Sequence, residues 1–149
     1  MSTVKFVATP SKGDGMAESV QETVRAHLDH GRACLDKGKY DDAIADYTKA
    51  IGLDPNVALA YTNRGLAYER KNALGRAYER KNALGRAIAD YTKAIALDPN
   101  DANVYTNRGV AYGKKGEVGR AIADFRKALE INPFDQVAKE VLKGLGVTP

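Results

Sequence analysis

His27, His30 and Cys34 are the residues whose types most readily do chemistry in this chain. Spaced i, i+3, i+7, they share one face of a helix, where two imidazoles and a thiolate could supply three zinc ligands. A fourth ligand and the hydrogen bonds that would orient such a set are not evident from the sequence. A cysteine nucleophile needs a base, and His30 lies one helical turn from Cys34. Further along the chain the same slots hold Tyr61, Arg64 and Tyr68, which read as core positions. The expectation is therefore that both His30 and Cys34 point into packing, with no metal, no cofactor and no catalysis. Asp46, Asp90 and Asp124 recur at one register and read as repeated surface, not as a paired-carboxylate site. Ser11-Lys12-Gly13-Asp14-Gly15 lacks a phosphate-loop pattern and reads as a flexible linker.

The elements that would position such residues must come from 149 residues, the size of one domain. The chain is 44% hydrophobic and 28% charged, enough apolar content for a packed core. A single cysteine excludes an intrachain disulfide and fits a reducing compartment. No apolar run approaches the roughly 18 residues of a membrane span. The opening MSTVKFVATP is too short for a signal-peptide core, so the expected location is cytoplasmic. The net charge of +4 is mixed in sign along the chain, unlike the dense one-sided patch of a nucleic-acid footprint.

Self-comparison is the informative step. The run Ala43–Ile51 (AIADYTKAI) recurs as Ala87–Ile95 and, diverged, as AIADFRKAL over Ala121–Leu129. Each copy runs into a proline, at Pro55, Pro99 and Pro133. Upstream, Tyr61-Thr62-Asn63-Arg64-Gly65 matches Tyr105-Thr106-Asn107-Arg108-Gly109, and a weaker version carries Gly31. Each unit reads as two helices. Tyr40, Ala43, Ile44, Tyr47, Ala50 and Ile51 fall at helical spacing, and Asp54-Pro55-Asn56 ends the run because proline disfavours α conformation in the residue before it. Glycine recurring mid-helix, where it costs about 1 kcal/mol against alanine, implies that a neighbouring helix packs close to the backbone.

This pattern resembles the tetratricopeptide (TPR) repeat, carried here by Tyr105, Arg108, Gly109 and Tyr112, then Ala121, Phe125 and Pro133, and by the matching residues of the two earlier units. The resemblance implies an all-α fold: a right-handed α-solenoid of three helix-turn-helix units (24–57, 58–101, 102–135), closed by a capping helix over 136–146 and preceded by a flexible segment over 1–20. It also implies that the first helix of each unit lines a concave groove. Carried over by position, the groove residues would be Arg25, Leu28, Asp29 and Arg32; Leu59, Thr62, Asn63 and Leu66; and Asn103, Thr106, Asn107 and Val110. Asn63 and Asn107 resemble family positions that hydrogen-bond a bound peptide's backbone, a task suited to a side chain that both donates and accepts. The alternative for both is a cap or bridge between neighbouring helices. One subgroup of the family clamps a partner's C-terminal carboxylate. Of that clamp Asn63 alone is in place, while Leu28, Arg32, Asn103 and Asn107 occupy the other four positions.

The repeat has one fault in its spacing. Gly31 to Gly65 is 34 residues but Gly65 to Gly109 is 44. The difference is visible as AYERKNALGR, present at 67–76 and again, unchanged, at 77–86. Copies this exact mark a recent or deliberate tandem duplication. It strikes the hairpin turn of the middle unit, which now has two turn candidates, Asn72–Gly75 and Asn82–Gly85. Using one turn lengthens one helix by ten residues, about 15 Å, which would displace the two halves of the solenoid and expose core. A longer symmetric hairpin would place its turn near Arg76–Glu79, which are poor turn formers. Residues 72–83 could instead loop out at small entropic cost. Finally, 59–97 could become one continuous helix whose ends pair with a second chain, giving a swapped dimer. The helix-forming composition favours this last form over the looped monomer, against the presence of Gly75 and Gly85.

The functional expectation is a non-enzymatic module that binds a peptide or helix of a partner protein in the groove. The alternative is a structural role in which the long helix mediates homodimerisation. A basic surface for nucleic acid or another acidic partner ranks third.

Overall fold

The computed structural model describes residues 12–73 and 77–149. Among them there are seven helices and no strand: α1 (Lys12–Asp36), α2 (Tyr40–Leu53), α3 (Ala58–Asn72), α4 (Ala77–Leu97), α5 (Ala102–Lys115), α6 (Val118–Ile131) and α7 (Gln136–Gly144). Each helix packs on its neighbours in sequence, and α3 also touches α1 and α5. The result is a linear stack of antiparallel hairpins, α1/α2, α3/α4 and α5/α6, with α7 against the last.

Small residues set the spacing. Ala43, Ala50, Ala60, Ala67, Ala87, Ala111 and Ala128 are fully buried between helices. One large ring per unit, Tyr47, Tyr91 or Phe125, is fully buried against the backbone of Gly31, Gly65 or Gly109 respectively. Burying each ring stabilises the stack by about 2–3 kcal/mol. Turns within hairpins are closed by Gly38 and Gly116, both at positive φ, where a side chain would be strained. Between units the stop is also local: the side chains of Asp54, Asp98 and Asn132 accept from the backbone N–H two residues on, across the intervening proline.

The linker expected over 11–15 and the flexible segment over 1–20 differ from this arrangement. Residues 1–11 lie outside the described residues, but α1 is already helical from Lys12. Between Lys12 and Val24 there is no proline, and the good helix formers Met16, Ala17, Glu18 and Gln21 outweigh Gly13 and Gly15.

The continuous helix over 59–97 is not formed. α3 ends at Asn72, the position that aligns with Gly38 and Gly116, and α4 folds back on α3 within the same chain. Leu84 takes the slot of Tyr40 and Val118, and Tyr91 packs on Gly65 as Tyr47 does on Gly31. Seven residues of α4, 77–83, therefore precede the part that matches the other units, two helical turns or about 10 Å. The displacement of the two halves expected from using the first turn does not occur. The added turns run past the end of α3, with Glu79, Arg80, Lys81 and Asn82 exposed, and the Gly65–Tyr91 register is kept.

Candidate partner-binding groove

α1, α3 and α5 lie side by side, as their mutual contacts show, and present equivalent faces. Arg25, Asp29 and Arg32 are exposed on α1. On α3, Leu59 is 53% exposed, while Thr62, Asn63 and Leu66 are half-buried. On α5, Asn103 is exposed and Asn107 and Val110 are half-buried. Leu28 and Leu66 do double duty, packing against the cluster of Cys34, Leu35, Ala43 and Tyr47.

Thr106 departs from the expected lining. It is buried, and its hydroxyl donates to the Asp135 carboxylate at the start of α7. Asp135 in turn accepts the Ala138 N–H as the N-cap of α7, so Thr106 fastens the last helix to the stack. Among the described residues its counterpart Thr62 bonds only within its own helix.

Asn63 and Asn107 occupy the same register on adjacent helices. Among the described residues neither side-chain amide hydrogen-bonds to the protein. The reading of these two residues as caps or bridges therefore has no bond behind it. Beside Val110, an apolar cleft of about 260 Å³ opens between α5, α6 and α7, lined by Gly109, Gly113, Phe125, Val141 and Leu145 among others. Of this set sequence reasoning assigned only Val110 to the groove, because the cleft depends on where α7 docks. At the turn end of the groove, Lys114 of α5 reaches Glu69 of α3 at 2.6 Å, and the Tyr91 hydroxyl donates to the other oxygen of Glu69 at 3.0 Å. A second cleft of about 510 Å³ there is lined by Glu69 with Arg80, Lys81, Lys114 and Lys115.

The repeated aspartates are not surface. Asp46, Asp90 and Asp124 are all buried. Arg64 forks onto Asp90 with Nε and Nη2 each 2.8 Å from an oxygen, and Arg108 does the same to Asp124. These bidentate bonds raise both guanidinium pKa values, against the opposing effect of burial. The third guanidinium nitrogen reaches the preceding unit, from Arg64 to Thr48 and from Arg108 to Thr92, each at 3.1 Å. Each arginine thus locks its own hairpin and its junction with the unit before. The signal was present in the sequence as the paired recurrence of arginine and aspartate.

In the first unit Asp46 meets His27 and His30 instead. Burial opposes its charged form, but the hydrogen bonds from His30 and then His27 outweigh that and hold Asp46 below its usual value. Cys34 is buried, but the His30 side chain is 68% exposed, so the expected inward packing holds for one of the two. Among the described residues, His30, Cys34 and Asp46 form the group of donors that could hold a metal ion. No helix among the described residues is long and apolar enough to cross a membrane.

A stack of two-helix units with glycine–aromatic contacts defines a helical-repeat protein. A family model of the TPR repeat matches residues 31–72 and 75–116, and one of the tetratricopeptide repeat matches 102–135. The chain belongs to the tetratricopeptide repeat family. Among solved structures, it is similar to the first TPR of Spaghetti (RPAP3) bound to the HSP90 peptide SRMEEVD, at 27% identity and a TM-score of 0.75, covering 84% of this chain and 91% of that one. The Arabidopsis OM64 TPR domain matches at 28% identity and 0.75, covering 85% and 96%. The second TPR domain of human RPAP3, in complex with the HSP70 peptide SGPTIEEVD, matches at 28% and 0.75, covering 85% and 98%.

Proposed function

We propose that the face formed by α1, α3 and α5 binds an extended peptide segment of a partner protein, without catalysis. The observation that carries this reading is the pair Asn63 and Asn107, at one register on adjacent helices and without partners among the described residues. An extended peptide brings its own N–H and C=O groups into the groove, and each must be paired or pay about 1–3 kcal/mol. An amide side chain meets both needs. Arg25, Leu28, Asp29 and Arg32 then line the first third of the path, Leu59, Thr62 and Leu66 the middle, and Asn103 the last, with an apolar side chain of the peptide in the cleft beside Val110. That similar domains are bound to an HSP90 peptide and an HSP70 peptide supports peptide binding as the mode. Leu28, Arg32, Asn103 and Asn107 in the carboxylate-clamp positions favour a different sequence from those peptides. We also read 67–76/77–86 as a tandem duplication within the middle of three units, 24–57, 58–101 and 102–135, followed by a cap over 136–146, and the setting as cytoplasmic.

The test is selection of binders from a displayed library of unstructured peptides, followed by fluorescence anisotropy with SRMEEVD as comparison ligand. Selected peptides are expected to bind more tightly than SRMEEVD. Replacing Asn63 and Asn107 together by Ala should weaken binding at least tenfold with the fold unchanged. Equal affinity of that double variant would remove the groove from the account.

A further inference from the structure

The first unit departs from the other two around one buried carboxylate. Where Arg64 and Arg108 fork onto Asp90 and Asp124, the first unit has His30; where those units have Tyr61/Tyr105 and Tyr68/Tyr112, it has His27 and Cys34. The aspartate itself, Asp46, is kept and buried. All three replacements put metal-competent donors around the same two oxygens. His27 Nδ1 is 3.0 Å from Asp46 Oδ1, His30 Nδ1 contacts Oδ2, and Cys34 Sγ is 3.9 Å from both ring nitrogens of His30. The donor atoms of His30, Cys34 and Asp46 all lie within 4.8 Å of one another.

We propose that His30, Cys34 and Asp46, with His27 completing the shell, form a tetrahedral metal site suited to Zn²⁺ that staples α1 to α2. Ligands at about 2.0–2.3 Å from a tetrahedral zinc stand roughly 3.3–3.8 Å apart, a spacing that the donors of His30, Cys34 and Asp46, within 4.8 Å of one another, reach by side-chain adjustment, with His27 turning in from its contact with Asp46. One thiolate, two imidazoles and one carboxylate select zinc over magnesium or calcium, which take oxygen donors. Three donors come from one face of α1 and the fourth from α2, so the ion would bridge the hairpin as the arginines bridge theirs. Arg64 and Arg108 also tie back to Thr48 and Thr92 of the unit before. No such unit precedes α1 among the described residues, so its slot is free of that second task. The exposed His30 gives the ion a way in. On binding, the Cys34 thiol loses its proton to solvent, the imidazoles bind through neutral nitrogens, and nothing is oxidised or reduced.

The full chain, stripped with chelator under reducing conditions, is titrated with Co²⁺ alone and then with Zn²⁺. The expected result is the intense visible bands of four-coordinate cobalt together with a near-ultraviolet thiolate charge-transfer band, both abolished by one equivalent of Zn²⁺. Zn²⁺ at a hundredfold excess over its Kd should raise Tm by about 5–10 °C. Cys34→Ser should remove the charge-transfer band. His30→Arg restores the arginine of the other units, so it should fold and lose both the spectrum and the Tm shift. A six-coordinate cobalt spectrum in the parent chain, or a four-coordinate one that survives His30→Arg, would overturn the proposal.

Discussion

The ring of Tyr91 lies where a side chain on Gly65 would begin. Its Cε1 is 2.8 Å from the position of a Cβ there, and the Ala87 carbonyl oxygen is 3.2 Å away. Gly31 meets Tyr47 in the same way, and Gly109 meets Phe125 at 3.0 Å. Helix propensity alone would make alanine better by about 1 kcal/mol at these sites. The overlap reverses the sign. Gly65→Ala should destabilise the protein by about 1–3 kcal/mol, read as a lower urea midpoint, and by more than Gly109→Ala. A stabilised Gly65→Ala would show that the ring moves aside freely.

Tyr47, Tyr91 and Phe125 share one slot but not one environment. The Tyr91 hydroxyl donates to Glu69, whereas the buried Tyr47 hydroxyl has no partner among the described residues. Tyr47→Phe should therefore be neutral or stabilising by up to about 1 kcal/mol, and Tyr91→Phe should cost about 1–3 kcal/mol. Thermal unfolding of the two variants side by side decides it.

Burial pushes the Tyr47 phenol up from 10.0 to about 12. Between these values the unfolded chain loses this proton while the folded chain keeps it, so the folded state binds more protons and stability falls as pH rises. The contribution is intact below pH 10.0 and gone above about pH 12. Tyr47→Phe should flatten the part of the alkaline unfolding curve that lies in this window; an unchanged curve would assign the loss to other groups.

The Arg108–Asp124 pair is mostly buried, with the two side chains 17% and 8% exposed. Arg108→Ala leaves a buried carboxylate without its partner and should cost about 3 kcal/mol. Replacing both residues by apolar side chains of similar volume should recover most of that loss. Equal losses in the single and double variants would count against it.

Deleting 77–86 leaves the same residues entering the core, because Leu74 of the first copy then stands in for Leu84. The shortened chain should keep its urea midpoint within about 1 kcal/mol and lose the far-ultraviolet signal of about two helical turns. Light scattering across a hundredfold range of concentration should give a monomer mass for each chain. A dimer mass for the parent alone would revive chain exchange through the added segment.

Much of this protein follows from local sequence. Apolar spacing makes the helices, Asp-Pro and Asn-Pro steps end them, and the glycine of one helix paired with the ring of the next sets the hairpin packing, all within a few tens of residues. The recurrence of units then determines the stack. What the chain could not state locally is which partner each polar group meets. Asp46, Asp90 and Asp124 read as surface until α1, α3 and α5 close over them with histidine or arginine. Thr106 read as groove until Asp135 and α7 covered it. The two copies of AYERKNALGR make the limit plain: Ala67 and Glu69 are buried inside α3, while Glu79 of the identical second copy is exposed at the start of α4. Identical residues carry identical propensities, so propensity cannot separate them. The separation comes from tertiary packing, which seats Tyr91 on Gly65 and Leu84 in the core and leaves Glu79, Arg80, Lys81 and Asn82 exposed.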